Sequence, residues 1–559
     1  MRNTRKAGWG KQAALLALPL LFLAVFFYLP LLTTFRMAWV SAREPAFSTA
    51  DLATKWRSLS FTFYQATLST ALTLLVGLPA AYLFSRYLFR GKRLLRALVM
   101  VPFVLPTVVV AAGFNALLGP RGWLNLALVS LFDLSTPPID LIYTLAAILL
   151  AHLFYNTSVI IRLVGSAWSR LDIQLEQAGR VLGAGRWQVF REITLPLLRP
   201  VILSASLLVF LFDFTSFGVI LLLGGPKYAT LEVSIYQQSM QFLNFPLAAV
   251  LSVIQLACTF TLITLVSRLS GQAVIPIAPA LKEEGMARAR TTPEKWFVGV
   301  MGSTLFVVFL SPLLALALRS VTRLELDPAG GGGFQTAWTS VYYRELFINR
   351  RGSLFYVPPV EAMRNSLVYA GVAVLITLVL GMLIAAAMER RRVRGALTEV
   401  LVTLPLGASA VSLGLGLLLL SSGMPGGALV AILLVPIAHS VVALPFFTRT
   451  VQPALASIPL ALKESAAVLG ASAERIWLEV TLPILWRPIL AGTLFAFTIS
   501  LGEFGATSFL ARPEFPTLPI AISRYLTVPG ALNYGQAMAM STLLMLVCAG
   551  CVFAIDSLE

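Results

Sequence analysis

Charge is scarce in this chain. Asp, Glu, Lys and Arg make up 12% of 559 residues, against about 25% in an ordinary soluble domain. That shortage excludes a soluble globular enzyme. Low hydrophobicity, which disorder requires, is also missing, since 58% of residues are hydrophobic and mean hydropathy is +0.84. Histidine occurs twice and cysteine three times, as Cys258, Cys548 and Cys551, all in apolar segments. With no CxxC and no metal-ligand spacing, the cysteines read as small buried hydrophobes, and neither a disulfide scaffold nor a metal centre is implied. Two histidines and no nucleophile motif leave little for a membrane enzyme.

What is abundant is apolar runs of roughly 20 residues, the length that spans a bilayer as a helix. Twelve spans are expected, at 13–38, 62–85, 96–118, 140–163, 201–224, 246–267, 296–319, 364–388, 397–420, 428–448, 489–511 and 533–555. Pro102, Pro106 and Pro445 interrupt some of them, which membrane helices tolerate where neighbours or water satisfy the freed carbonyls. Arg2, Arg5, Lys6 and Lys11 precede the first run. That run is longer than a signal-peptide core, so it reads as a retained helix.

The net charge of +17 sits between the spans rather than on a face, so it reads as topology and not as nucleic-acid binding. Basic clusters fall in the second-to-third loop (Arg86, Arg90, Lys92, Arg93, Arg96) and the fourth-to-fifth (Arg170, Arg180, Arg186, Arg191, Arg199). Two more fall in the sixth-to-seventh (Lys282, Arg288, Arg290, Lys295) and the eighth-to-ninth (Arg390, Arg391, Arg392, Arg394). The positive-inside rule makes these loops cytoplasmic and predicts both termini inside. Arg344, Arg350 and Arg351 lie in a long opposite loop, where the rule is weak, beside a flexible Gly330–Gly333 stretch.

The two halves are copies. QAGRVLGAGRWQVFREITLP from Gln177 repeats as ESAAVLGASAERIWLEVTLP from Glu464, a shift of 287 positions. At that shift Ala151, His152 and Arg162 match Ala438, His439 and Arg449, while Phe217, Gly218 and Pro226 match Phe504, Gly505 and Pro513. An even number of spans separates the copies, so the repeat is parallel, about an axis along the membrane normal. The expected organisation is a six-helix unit at 1–270, a cytoplasmic joint at 271–295 and a second six-helix unit at 296–559.

Each repeated loop opens with small residues, Ala178, Gly179 and Gly183 in one copy and Ala466, Ala467 and Gly470 in the other. Small residues let another surface approach closely, and a glycine ends the helix. An amphipathic stretch with Trp187, Phe190 and Ile193 follows, and then Leu195-Pro196 or Leu482-Pro483 is expected to break the helix. One such loop could simply lie on the membrane surface. Two in register suit a two-fold partner.

This pattern of Glu-Ala-Ala, then Gly, then a distal Leu-Pro resembles the coupling motif of permeases in binding-protein-dependent ABC importers. Glu464 through Gly470 to Leu482-Pro483 fits it. In the first copy Gln177 stands at the motif Glu, with Glu176 adjacent, and Gly179 at the second Ala. More narrowly the chain is similar to fused-type permeases of thiamine and ferric-iron importers. That likeness rests on Gly122-Trp123-Leu124, the run Ala151 to Asn156, Leu223-Gly224-Gly225-Pro226, Thr230-Leu231-Glu232, Ile235-Tyr236-Gln237 and Gly502-Glu503-Phe504-Gly505. The resemblance implies an all-α polytopic fold, about twelve helices in two parallel repeats of six, of the type I ABC importer permease kind. It implies a cell-membrane location, an ABC ATPase homodimer on the cytoplasmic loops, an extracytoplasmic solute-binding protein and alternating access. The chain has no G-x-x-x-x-G-K-[ST] loop, so no cofactor is expected in it and ATP belongs to the partner. Thiamine and ferric iron both remain candidate cargoes, the stretch Leu223 to Gln237 leaning to thiamine.

Ionisable residues inside spans point by default to a pathway or a partner. His152, His439, Asp213 and Glu503 are such residues, and Phe217 and Phe504 follow the two acids closely. A histidine bonded to a neighbouring backbone carbonyl is the plain expectation. Asp213 and Glu503 are not equivalent, because Ser500 occupies the repeat position of Asp213. They could meet a cation in a central path or bond between helices. An ion-coupled secondary transporter is the competing reading, although paired cytoplasmic knobs have no role in one.

Overall fold

The computed structural model describes residues 15–41, 49–270, 286–326, 334–349, 357–389, 401–402, 404–422 and 427–558. Among them ten helices are long and apolar enough to cross a membrane: Leu15–Ser41, Ala53–Arg86, Leu145–Ser169, Arg186–Phe214, Phe245–Val266, Thr292–Ser320, Pro359–Met388, Ile432–Ala456, Ala473–Gly502 and Ala531–Ile555. An eleventh crossing would be the pair Lys92–Val104 and Thr107–Phe132, bent by 116°. The basic run at 390–394, the Gly330–Gly333 stretch and most of the joint at 271–295 lie outside the described residues.

Among the described residues the third expected span is bent and the ninth, whose positions 397–400 and 403 lie outside them, is interrupted before Ala410. Leu105 is extended ahead of Pro106, which caps the helix Thr107–Leu118. A residue before proline is pushed out of the helical region, and proline offers no N–H. In the second half Ser409 takes the same place, its hydroxyl accepting from Ser412 N at 3.2 Å to cap the 12-residue helix Ala410–Ser421. The break pairs Pro106 with Ser409, a shift of 303 rather than 287. The first half therefore carries 16 extra residues between its break and its histidine, and the helix Trp123–Phe132 lies in that interval.

The leading helix of each half packs on the other half. Leu29–Ser41 lies against Ala410–Ser421, and Thr292–Ser320 lies against Thr107–Leu118. Glycine permits both approaches. A Cβ on Gly113 would sit 3.0 Å from Pro312 O, and one on Gly416 would sit 2.8 Å from Pro30 O. A short antiparallel hairpin, Thr322–Leu326 with Phe334–Trp338, occupies part of the long loop that follows Thr292–Ser320.

The expected break at Leu-Pro does not occur. The helix runs without interruption from Arg186 to Phe214 and from Ala473 to Gly502. A π-turn precedes each proline, at Phe190–Thr194 and Trp477–Thr481, closed by Leu195 N–H to Phe190 O and Leu482 N–H to Trp477 O. The first span repeats the device, with a π-turn at Ala24–Tyr28 ahead of Leu29-Pro30. Proline inside an α-helix removes one hydrogen bond and crowds a carbonyl one turn back. The wider turn takes up that conflict locally, so the helix continues instead of ending.

Candidate translocation site and coupling loops

Three of the basic loops meet on one side of the bundle. Ala287 pairs with the backbone at Arg86 and Leu88, Lys92 Nζ donates to Tyr87 O at 2.9 Å, and Arg186 lies 3.7 Å from Glu294. The first of the two repeated knobs is on this side. In the first, Asp172 caps the helix Ile173–Val181, which carries Gln177, Ala178 and Gly179. It ends at Gly183, with φ +89°, through Gly183 N–H to Arg180 O and Ala184 N–H to Gly179 O. In the second, Leu460–Val468 carries Glu464, Ala466 and Ala467 and ends at Gly470, with φ +88°, through Gly470 N–H to Ala467 O and Ala471 N–H to Ala466 O. Both ends are left-handed glycine caps of the same design.

Each cap holds out the same apolar pair. Val181 and Leu182 are 86% and 87% exposed; Val468 and Leu469 are 87% each. Sequence reasoning named the glycines but missed the pairs beside them, although Val-Leu-Gly-Ala is identical in the two copies. The acids differ. Glu176 is pinned by Arg86 and accepts from Thr194 at 3.0 Å. Glu464 is exposed. Gly179 is buried against the stretch that follows, where a Cβ would sit 2.8 Å from Ile193 Cδ1. Leu195, Pro196 and Pro483 are exposed on the elbow, and Leu482 is half-buried there.

The same two helices end at a cavity of about 370 Å³ lined by both halves. His152, Asp213, Phe217, Glu503 and Phe504 line it, as does Glu232, part of the Thr230-Leu231-Glu232 motif but not expected on the path. His439 is not on the lining; it sits behind Glu503, whose Oε2 is 3.4 Å from its Nε2. The expected carbonyl partners of the histidines are absent. His152 Nδ1 meets Ser69 Oγ at 2.9 Å and Asp213 Oδ1 at 3.2 Å, and its Nε2 meets Ser216 Oγ at 2.9 Å. His439 Nδ1 meets Ser500 Oγ at 2.7 Å and its Nε2 meets Thr507 Oγ1 at 2.8 Å. Tyrosine takes a carbonyl at the helix break instead, Tyr155 donating to Leu105 O at 3.1 Å.

The inequivalent acids prove to be two solutions at one place. Each histidine spans the same two repeat positions, Asp213 and Ser216 in the first half, Ser500 and Glu503 in the second. Acid and hydroxyl have changed places. Across the repeat axis Phe217 and Phe504 stack, with centroids 5.5 Å apart and planes at 26°, and Tyr236 stands edge-on to Phe217 at 5.4 Å. Glu232 accepts from Gln255 Nε2 at 2.9 Å and from Ser409 Oγ at 2.5 Å, joining the first half to the cap of the broken helix in the second. Its repeat position holds Pro519, so comparing the halves conceals it.

Residues 73–276 and 377–557 match the family model of the binding-protein-dependent transport system inner membrane component. The chain belongs to this family. It is a permease of an ABC importer, a multi-pass membrane protein built from two such units. This sets aside the ion-coupled secondary transporter. Among curated relatives, the thiamine transport system permease protein ThiP of Escherichia coli (strain K12) is 27% identical over 88% of this chain and 87% of its own length. ThiP of Haemophilus influenzae is 28% identical over 88% and 87%. A probable ABC transporter permease protein, y4fN, of Sinorhizobium fredii is 26% identical over 82% and 79%. A crystal structure of a bacterial ABC transporter involved in the import of alginate aligns with 49% of this permease and 100% of that chain, at 18% identity and a TM-score of 0.40.

Proposed function

We propose that this permease carries thiamine, working by alternating access driven by a separate ABC ATPase pair. A single observation supports the mechanism. One unbroken helix in each half starts at an exposed knob and ends at the shared cavity. At 1.5 Å per residue, Arg186–Phe214 and Ala473–Gly502 are roughly 43 and 45 Å long. An ATPase that closes on ATP and grips both knobs would tilt both levers together and part the Phe217–Phe504 stack.

Under this reading the halves are 1–270 and 296–559, the stretch 271–295 is a fusion joint, and both termini face the cytoplasm with the basic loops. ATP is bound by the partner. A solute-binding protein delivers cargo from outside. The cargo is drawn from the names of the relatives at 27–28% identity over most of this chain. Ferric iron is the second reading. The test is uptake of labelled thiamine and labelled ferric iron in cells with and without the gene. Loss of thiamine uptake alone supports the proposal; loss of iron uptake alone, or of neither, overturns the choice of thiamine.

A further inference from the structure

We propose that Asp213 is the cation-binding group of the cavity and that its ligand is a singly charged aromatic cation held against Phe217 and Phe504. This deepens the reading of the chain as a thiamine permease and rests on it.

Three carboxylates line the cavity, and neither Lys nor Arg does. Two of the three are fully engaged. Glu503 accepts from Ala506 N at 2.8 Å through Oε1, and from Thr507 N at 2.9 Å and the Thr507 hydroxyl through Oε2. It is the cap of a short turn, and its charge is spent on backbone donors. Glu232 divides its oxygens between Gln255 and Ser409. Asp213 differs. Its Oδ1 accepts from Asn156 Nδ2 at 2.7 Å and faces His152, while Oδ2 has no partner. The Thr70 hydroxyl, which donates to Ala66 O at 2.7 Å, lies beside the carboxylate and, among the described residues, is the one other side chain near enough to serve it. A wholly buried carboxylate oxygen without a donor is costly and asks for a partner that arrives from elsewhere.

The rest of the wall suits an aromatic cation. Ring faces attract positive charge, and Phe217, Phe504, Phe103, Phe212, Phe446 and Phe495 all line the cavity. A hard metal ion would need several converging donors. Among the described residues no group of three or more His, Cys, Asp or Glu could hold one.

The test measures binding of N-benzylpyridinium and its uncharged carbon isostere to the purified permease–ATPase complex in nanodiscs. Wild type, Asp213→Asn and Asp213→Glu are compared, with labelled thiamine uptake measured in parallel. Wild type is expected to prefer the cation by about tenfold or more, the scale of one charge-assisted contact. Asp213→Asn should lose that preference with an unchanged melting temperature, and Asp213→Glu, which restores the charge, should recover part of it. Equal preference in wild type and Asp213→Asn overturns the assignment, as does a wild type that ignores charge. Asp213-dependent cation binding without thiamine uptake would overturn the thiamine reading and leave this site standing.

Discussion

Replacing Gly470 with alanine separates the shape of the knob from the stability of the protein. A Cβ at this position would meet nothing within 4 Å, so no clash contributes. What remains is the backbone. At φ +88° an L-residue costs about 1–2 kcal/mol relative to one in the right-handed region, which lowers the population of the turn by about 5- to 30-fold. The two hydrogen bonds of the turn, to Ala466 O and Ala467 O, weaken together. Val468 and Leu469 are almost wholly exposed, so the core does not register the change. The assay is ATPase activity of the reconstituted complex, stimulated by cargo-loaded binding protein, at limiting ATPase subunit. Stimulation should fall several-fold in Gly470→Ala. It should fall less in Gly470→Asn, since asparagine tolerates the left-handed region, and most in Gly470→Trp. Melting temperatures should agree within a degree or two across the series. If alanine and asparagine both match glycine, the left-handed cap does not present the docking surface. If melting falls in step with coupling, the loop is part of the fold and not a knob.

Three further outcomes follow from the geometry. Glu176→Ala should cost about 1–3 kcal/mol of stability by freeing Arg86 and Thr194, read as a lower melting temperature. Glu464→Ala should leave melting unchanged and reduce ATPase affinity, because that side chain is exposed; a matching pair of melting curves for the two variants would refute the asymmetry. Gly218→Ala should be worse than Gly505→Ala, since the new Cβ collides with Thr107 in the first case and meets Ala410 Cβ at 3.1 Å in the second. Overpacking costs about 1–3 kcal/mol, and equal destabilisation would contradict it. Ser409→Ala should strip the cap from Ala410–Ser421 and a donor from Glu232, lowering stability by about 1–2 kcal/mol; an unchanged melting curve would show that this bridge between the halves is idle.

The repeat was legible because a shift of 287 carries His152 onto His439 and Phe217 onto Phe504, and the paired loops followed from it. What stayed hidden follows physical lines. Pro106 was visible, but its counterpart is a serine at a different shift, so two matching helix breaks read as two ordinary spans. Leu195-Pro196 was read as a stop because proline usually is one; a five-residue π-turn that absorbs it has no composition of its own. Asp213 and Glu503 look unrelated in an alignment of the halves. Only the ring of each histidine, touching both positions at once, shows that the two acids occupy equivalent surroundings. Glu232 was visible as part of a motif, but its place on the cavity wall was not, because it rests on a contact with Ser409, 177 residues away.

The exchange of acid and hydroxyl beside the two histidines bears on why the halves share one polypeptide. A permease assembled from two identical subunits must present its cavity with every group twice or not at all. It could offer two open carboxylate oxygens or none, but never one. Covalent fusion guarantees one copy of each half in every molecule. Each half could then drift separately, one leaving a carboxylate oxygen without a donor while the other spent its acid on holding a turn. Stoichiometry, set once by the length of the gene, would let a two-fold channel present a single unpaired charge to its cargo.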